Sequence, residues 1–206
     1  MPEHVLSGNQ LAWALLTDKE PGIICKLAGV QHDFASNKFI IQSFGQEIYV
    51  DPSNFTITSH SPRGRQLLRG LGHFFDLAVL WYLGSAKNIP LSGQMVSPAS
   101  LVGGEIFQKG THVLPLDKMA AKYADDFEGF YEIGLELGGQ QLEHGDASIR
   151  LHPFPRVPVT FILWKGDEEF PARADMFFDV TCERHLPTDV IWSTAMAAVL
   201  IMLRAG

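Results

Sequence analysis

The chain has 206 residues, 46% of them hydrophobic, and a formal net charge of -7. That is enough apolar material for one substantial core, so a single domain over residues 1–206 is expected, with a meander sub-region at 20–60. The 16 Lys and Arg residues are scattered and outnumbered by 23 Asp and Glu, which excludes the basic stripe of a nucleic-acid partner.

The first 22 residues, "MPEHVLSGNQLAWALLTDKEPG", lack the basic start and continuous apolar stretch of a signal peptide, so a soluble, cytoplasmic protein is expected. Leu6 to Thr17 reads as a short helix. Next come "GIICKLAG", "KFIIQSF", "QEIYVD" and "NFTITS", all with strand character. In the third, Ile48 and Val50 alternate with Glu47 and Tyr49, the period of two of a half-buried strand. Turn chemistry at residues 35–37, Gly45 and residues 51–54 makes an antiparallel meander.

Ser61 to Ala86 predicts one long helix. Leu67, Leu68, Leu71, Phe75, Ala78, Val79 and Tyr82 recur at helical spacing, with Gly84 as the C-cap. Gly70 and Gly72 weaken it, since glycine costs a helix interior about 1 kcal/mol against alanine. The glycine-rich loop "NIPLSGQMVSPASLVGGEIFQKG" is long enough to carry function, and its Gly103-Gly104 pair could let backbone approach a ligand. Two short helices are expected at Leu116–Ala124 and Phe127–Leu137, the second closed by Gly138-Gly139. Three strands then follow: "ASIRLHPF", "VPVTFILW", apolar on both faces as a central strand should be, and "RADMFFDV". In the last, Ala174, Met176, Phe178 and Val180 point inward, and Arg173, Asp175 and Asp179 point to the other face.

Pro187 introduces the last helix, whose run "VIWSTAMAAVLIML" (Val190–Leu203) is too short to span a bilayer and reads as a core helix. The expected class is therefore α+β: antiparallel sheets with a long central helix and a C-terminal helix packed on them.

Three places could carry chemistry. Trp164 ends one strand and Ala172 begins the next, so Asp167, Glu168 and Glu169 crowd onto a sheet rim at a hairpin. They are either solvated loop residues or a site, with His185 as a fourth catalytic candidate. Carboxylates suit hard cations, so Asp167, Glu169, Asp179 and His185 are the metal candidates, although the spacing is not that of an EF-hand. An ion-pair network with Arg156 is an equal alternative.

The second place is the expected long helix, where Arg65, Arg69, His73 and Asp76, spaced by four, four and three, share one face. They form either an exposed edge, with Arg69 paired to Asp76, or a ligand cleft, with arginines for an anionic group and His73 as acid, base or axial ligand. Neighbouring Phe74, Phe75, Trp81 and Tyr82 could wall a planar cofactor or be plain core. The third is the eight histidines, which show no H-x-x-x-H spacing. Nucleophile-elbow, phosphate-loop and dinucleotide fingerprints are absent too. Cys25 and Cys182 form no C-x-x-C pair and cannot hold a four-thiolate iron–sulfur cluster within one chain; two reduced thiols are expected rather than a disulfide.

"LWYLGSAKNIPLSGQMVS", "GGEIF", "PRVPVTFILWKGDEEFPARADMFFD" and "RHLPTD" resemble a prokaryotic family known as domain of unknown function 3786. The resemblance runs from about Asp76 to the end, and "W-x-G-D-E-E-F-P" is its most specific part. It places Arg156, Trp164, Gly166, Asp167, Glu168, Glu169, Phe170, Pro171, Asp179, His185 and Pro187 at motif positions. It implies no particular activity. It does imply a context, because members occur largely in anaerobes and some carry a fused iron–sulfur domain of the kind seen in corrinoid proteins.

The leading expectation is a ligand-binding accessory protein of anaerobic metabolism, its cofactor a corrinoid or other tetrapyrrole by family association alone, with Arg65, Arg69, His73, Asp76 and Arg156 as ligand-binding candidates. One alternative is a metal-assisted enzyme at the acidic turn. The other is an interaction module whose last helix docks a protein partner or a second copy.

Overall fold

The computed structural model describes residues 8–107 and 110–204; the side chains of His73 and Thr111 also lie outside the described set. The chain opens with α1 (Gly8–Thr17) and α2 (Pro21–Ala28). The expected start of α1 at Leu6 falls outside the described residues. The segment "GIICKLAG" is a helix, not the strand its apolar run predicts. Pro21 sits in the first turn, Gly29 closes the helix at φ 69° with its N–H on the Cys25 carbonyl, and Ile24 and Ala28 are buried one turn apart. Two adjacent isoleucines cannot distinguish strand from helix, and the flanking Pro and Gly decide it.

The meander is a four-stranded antiparallel sheet in sequence order: β1 (Gln31–Asp33), β2 (Lys38–Ser43), β3 (Gln46–Asp51) and β4 (Thr56–Thr58). Ile48 pairs with Ile41 and Val50 with Phe39, and all four side chains are buried, as the alternation predicts.

The expected long helix is two helices, α3 (Pro62–Leu71) and α4 (His73–Ser85). Ser61 caps α3 by accepting the Gly64 N–H. The break is at Gly72 (φ 60°, ψ -148°), a conformation that only glycine adopts readily. Gly84 is not the cap either. The cap is Ala86, and a β-carbon on Gly84 would lie 2.7 Å from Cβ of Leu15, so this glycine lets α1 press against α4.

The long loop contains a short strand, β5 (Met95–Val96), and single turns at Pro98–Ser100, Gly104–Phe107 and Gly110–His112. Gly104 is buried against the loop itself, where a β-carbon would collide with the Pro98 carbonyl, so the glycine pair serves loop packing.

Helices α5 (Leu116–Tyr123) and α6 (Phe127–Glu136) lead into β6 (Gln140–Leu142), β7 (Ala147–Phe154), β8 (Val157–Trp164) and β9 (Arg173–Asp179). With β5 these make an antiparallel sheet of order β5-β9-β8-β7-β6. Central β8 is buried from Val157 to Leu163. In β9, Ala174, Met176 and Phe178 face inward, and the strand ends before Val180.

A short α7 (Cys182–His185) precedes α8 (Thr188–Arg204). The two sheets touch where the Phe44 N–H donates to the His152 carbonyl at 2.9 Å, and one apolar core runs from Ala12 to Met202. Most of α8 is buried inside the chain itself. Its C-terminal carbonyls are capped by Lys122, which donates to those of Met202 and Leu203, and by the Tyr123 hydroxyl. The fold is α+β, and among the described residues no helix is long and apolar enough to cross a membrane.

Candidate functional site

Arg156, together with Asp179 and His185 six positions apart from each other, converges on one segment, Ala86 to Gln94. Asp179, on the polar face of β9 as predicted, is nevertheless buried. Its carboxylate accepts the N–H and hydroxyl of Ser92 (3.2 and 3.0 Å), the Gly93 N–H (2.8 Å), and the N–H and hydroxyl of Thr181 (3.0 and 2.6 Å). Burial alone would raise its pKa. The hydrogen bonds from Thr181, Ser92 and Gly93 outweigh that and lower it.

Arg156, in the turn between β7 and β8, spreads its guanidinium over four acceptors. These are the carbonyls of Leu27 (2.8 Å), Lys26 (3.3 Å) and Ile89 (3.3 Å), and the Asn88 side chain (2.8 Å). It therefore caps α2 and holds the loop at once. Beside it, the Tyr82 hydroxyl donates to the Ala28 carbonyl and accepts the Arg156 N–H.

His185 completes the clamp. It is 1% exposed, Nδ1 accepts the Lys87 N–H at 3.3 Å, and its carbonyl accepts the Ser85 hydroxyl. That bond assigns the ring proton to Nε2, which is buried without a partner. Burial first, then the charges of Arg156 and Lys87, lower its pKa to about 4 against the opposing pull of Asp179, so the ring is neutral at pH 7. Cys182 is buried and its thiol pushed up to about 12 by burial and by Glu183, which makes it unreactive; both cysteines are unpaired.

A cavity of about 40 Å³ between Asp179, Thr160, Arg150 and Leu91 has room for little beyond a water. The polar groups of Asp179 and Arg156 are thus spent on backbone and neighbours, while Nε2 of His185 has no partner among the described residues.

The acidic turn lies at the other end of β9. Six residues of strand separate Arg173 from Asp179, roughly 20 Å at the usual rise. Asp167 folds back on its own turn, with Oδ1 accepting the N–H groups of Glu169 and Phe170 at 2.8 Å each, and these bonds lower its pKa. Glu168, Glu169 and Phe170 are exposed. Gly166 is required because a β-carbon there would lie 2.8 Å from the Ala172 nitrogen. Trp164 donates to Asp175, and Arg173 pairs with Asp175 at 3.1 Å while lying over the Trp164 ring, so the motif tryptophan stitches the hairpin. The structure does not bring Asp167, Glu168 and Glu169 to His185. Among the described residues no group of three or more His, Cys, Asp or Glu side chains is placed to hold a metal ion.

The polar stripe is likewise divided by the break at Gly72. On α3, Arg65 donates to the His60 carbonyl at 2.6 Å and Arg69 to the Arg65 carbonyl at 3.3 Å, both at the surface. Asp76 is on α4, half-buried, and the side chain of His73 lies outside the described residues.

The open volume is elsewhere. Helices α3, α6 and α8 enclose a half-open cleft of about 520 Å³, with Gln46 of β3 at its margin. Leu67, Leu71, Ile133, Leu137 and Ile201 supply its apolar walls. Arg63, Gln66, Glu136 and Arg204 supply its polar groups. Arg63 pairs with Glu136 at 2.5 Å, both half-exposed, and Arg204 donates to the Gly70 carbonyl. Sequence reasoning missed this site because its walls are remote in the chain. A signal was present: Arg63, Gln66, Leu67, Gly70 and Leu71 share one face of α3, and a glycine between leucines on that face leaves space.

The family profile that matches the chain, over residues 20–200, is that of a domain of unknown function, DUF3786. The chain belongs to the DUF3786 family. No curated protein and no solved structure matches it. The DUF3786 match includes the whole clamp and the α3 and α6 walls of the cleft, while Ile201 and Arg204 lie just beyond it.

The tetrapyrrole that the family association implies can be tested against both regions. A haem iron takes an axial His, Cys, Met or Tyr, and among the described residues the cleft lining has none of these. His185 is buried and lines neither cavity. Among the described residues neither region fits a ligated haem.

Proposed function

We propose that this DUF3786 protein is a cytoplasmic small-molecule binder whose ligand occupies the cleft between α3, α6 and α8. The observation that carries the reading is the cleft itself. Its volume of about 520 Å³ falls in the range of small-molecule sites, and apolar walls with a few polar groups at the mouth are the usual composition of such sites. The clamp and the acidic turn support the same reading indirectly, because Asp179 and Arg156 are saturated by backbone and neighbouring side chains and the turn's glutamates spread in solvent. The family association supports a role as accessory to anaerobic metabolism.

The test uses Gly70→Trp. A β-carbon on Gly70 meets only Arg204, at 3.6 Å, so a large side chain can enter the cleft without disturbing the helix. Native mass spectrometry of anaerobically purified protein, followed by a small-molecule binding screen, is expected to give ligands that Gly70→Trp no longer binds. Ligands held equally by both proteins would contradict the reading.

A further inference from the structure

Resting on that reading of the cleft, we propose that its ligand is an amphipathic acid, with a carboxylate or phosphate head at Arg63 and Arg204 and an aliphatic tail along the leucine and isoleucine walls. The charge balance is the first reason. The chain as a whole carries -7, yet the cleft is lined by two arginines against one glutamate, so it is a local positive site on an acidic protein.

The second reason is how the two guanidiniums are held. Arg156 of the clamp has four protein acceptors. By contrast, among the described residues Arg63 has one carboxylate partner in a half-exposed pair, and Arg204 has one backbone carbonyl. Each guanidinium has five donors, so both keep free N–H groups at the mouth, in the fork geometry that matches an acid head. Glu136 then competes with the ligand for Arg63 and sets a threshold against weak anions.

The third reason is the apolar wall. Leu67, Leu71, Ile133 and Ile201, from three helices, and Leu137, just past the end of α6, offer no polar side chain to a tail. An inorganic anion leaves this surface unused, and a cationic head meets the arginines unfavourably.

The experiment is a calorimetric titration of the full chain with octanoate, octyl phosphate, octanol, octylamine and inorganic phosphate, repeated on Gly70→Trp, Arg63→Gln, Arg204→Gln and Glu136→Gln. Octanoate or octyl phosphate is expected to bind at least tenfold more tightly than octanol, octylamine or inorganic phosphate, and the stronger of the two identifies the head. Each arginine variant should weaken that probe about tenfold and leave octanol unchanged, and Glu136→Gln should strengthen it severalfold. Equal binding of octanol and octanoate, both lost in Gly70→Trp, would overturn the acid head and leave the cleft standing. Octanoate bound equally by the native protein and Gly70→Trp would overturn the cleft and the acid head together. No binding of either acid would overturn the acid head.

Discussion

The clamp at Lys87–Gly93 and the cleft between α3, α6 and α8 are both built with arginines and carboxylates, and they use them in opposite ways. In the clamp, Asp179 accepts five hydrogen bonds and Arg156 makes four to side-chain and backbone acceptors, so little capacity is left for a ligand. In the cleft, Arg63 and Arg204 each have one acceptor among the described residues and line open volume. A polar residue at a motif position is thus no guide to a binding site by itself. What separates scaffold from site is whether the protein has already satisfied the group.

The contrast can be broken or sharpened by mutation. The largest effect is expected from Asp179→Ala, which removes a buried carboxylate that accepts five hydrogen bonds. It should cost about 3–4 kcal/mol, measured by denaturant unfolding, because hydrogen bonds to a charged group contribute about 1.5–3 kcal/mol each and water recovers part of that at the exposed Ser92 and Gly93. A cost below about 1 kcal/mol would mean the loop does not depend on the clamp.

Next is the acid limb of stability. His185 has a folded pKa of about 4, below the ordinary value of 6.5 that holds in the unfolded chain. The unfolded state therefore binds more protons between those values, and stability falls as pH drops from about 6.5 to 4, by on the order of 3 kcal/mol. His185→Gln should remove most of that slope, leaving the share of His152, whose pKa burial and the Arg150 charge also lower. An unchanged slope would place the titrating group elsewhere.

Arg156→Lys keeps the charge and loses the fork, with an expected cost of about 2 kcal/mol. The smallest effect is expected at the acidic turn. Glu168→Gln and Glu169→Gln should each change stability by less than about 0.5 kcal/mol, since both side chains are solvated. A larger change would show a partner for them that the turn geometry does not provide.

Much of the fold was legible because its elements carry strong periodic signals. Ile48 and Val50 against Glu47 and Tyr49, and the uniform apolarity of Val157 to Leu163, led directly to β3 and β8. Where local signals conflicted, the reading failed. The Ile23-Ile24 pair suggested a strand, but Pro21 and Gly29 frame a helix. Gly72 was visible as a weak point in a long helix, yet only its φ of 60° shows that it divides the helix and the polar stripe with it. Sequence reasoning groups Asp179, His185 and Arg156 with the acidic turn, and their convergence on the Lys87–Gly93 loop instead depends on tertiary contacts that no spacing encodes. The cleft was the least legible feature, because α3 and α6 look amphipathic alone, α8 reads as plain core, and the space left between them is a property of their packing.

The most direct test is a methyl NMR titration of the native chain with octanoate. Shifts at the methyl groups of Leu67, Leu71, Ile133 and Ile201, with Ile89 and Leu91 beside the clamp unmoved, are the predicted result. Movement at Ile89 and Leu91 with a silent cleft would contradict it, and would return the ligand to the loop that Arg156, Asp179 and His185 hold.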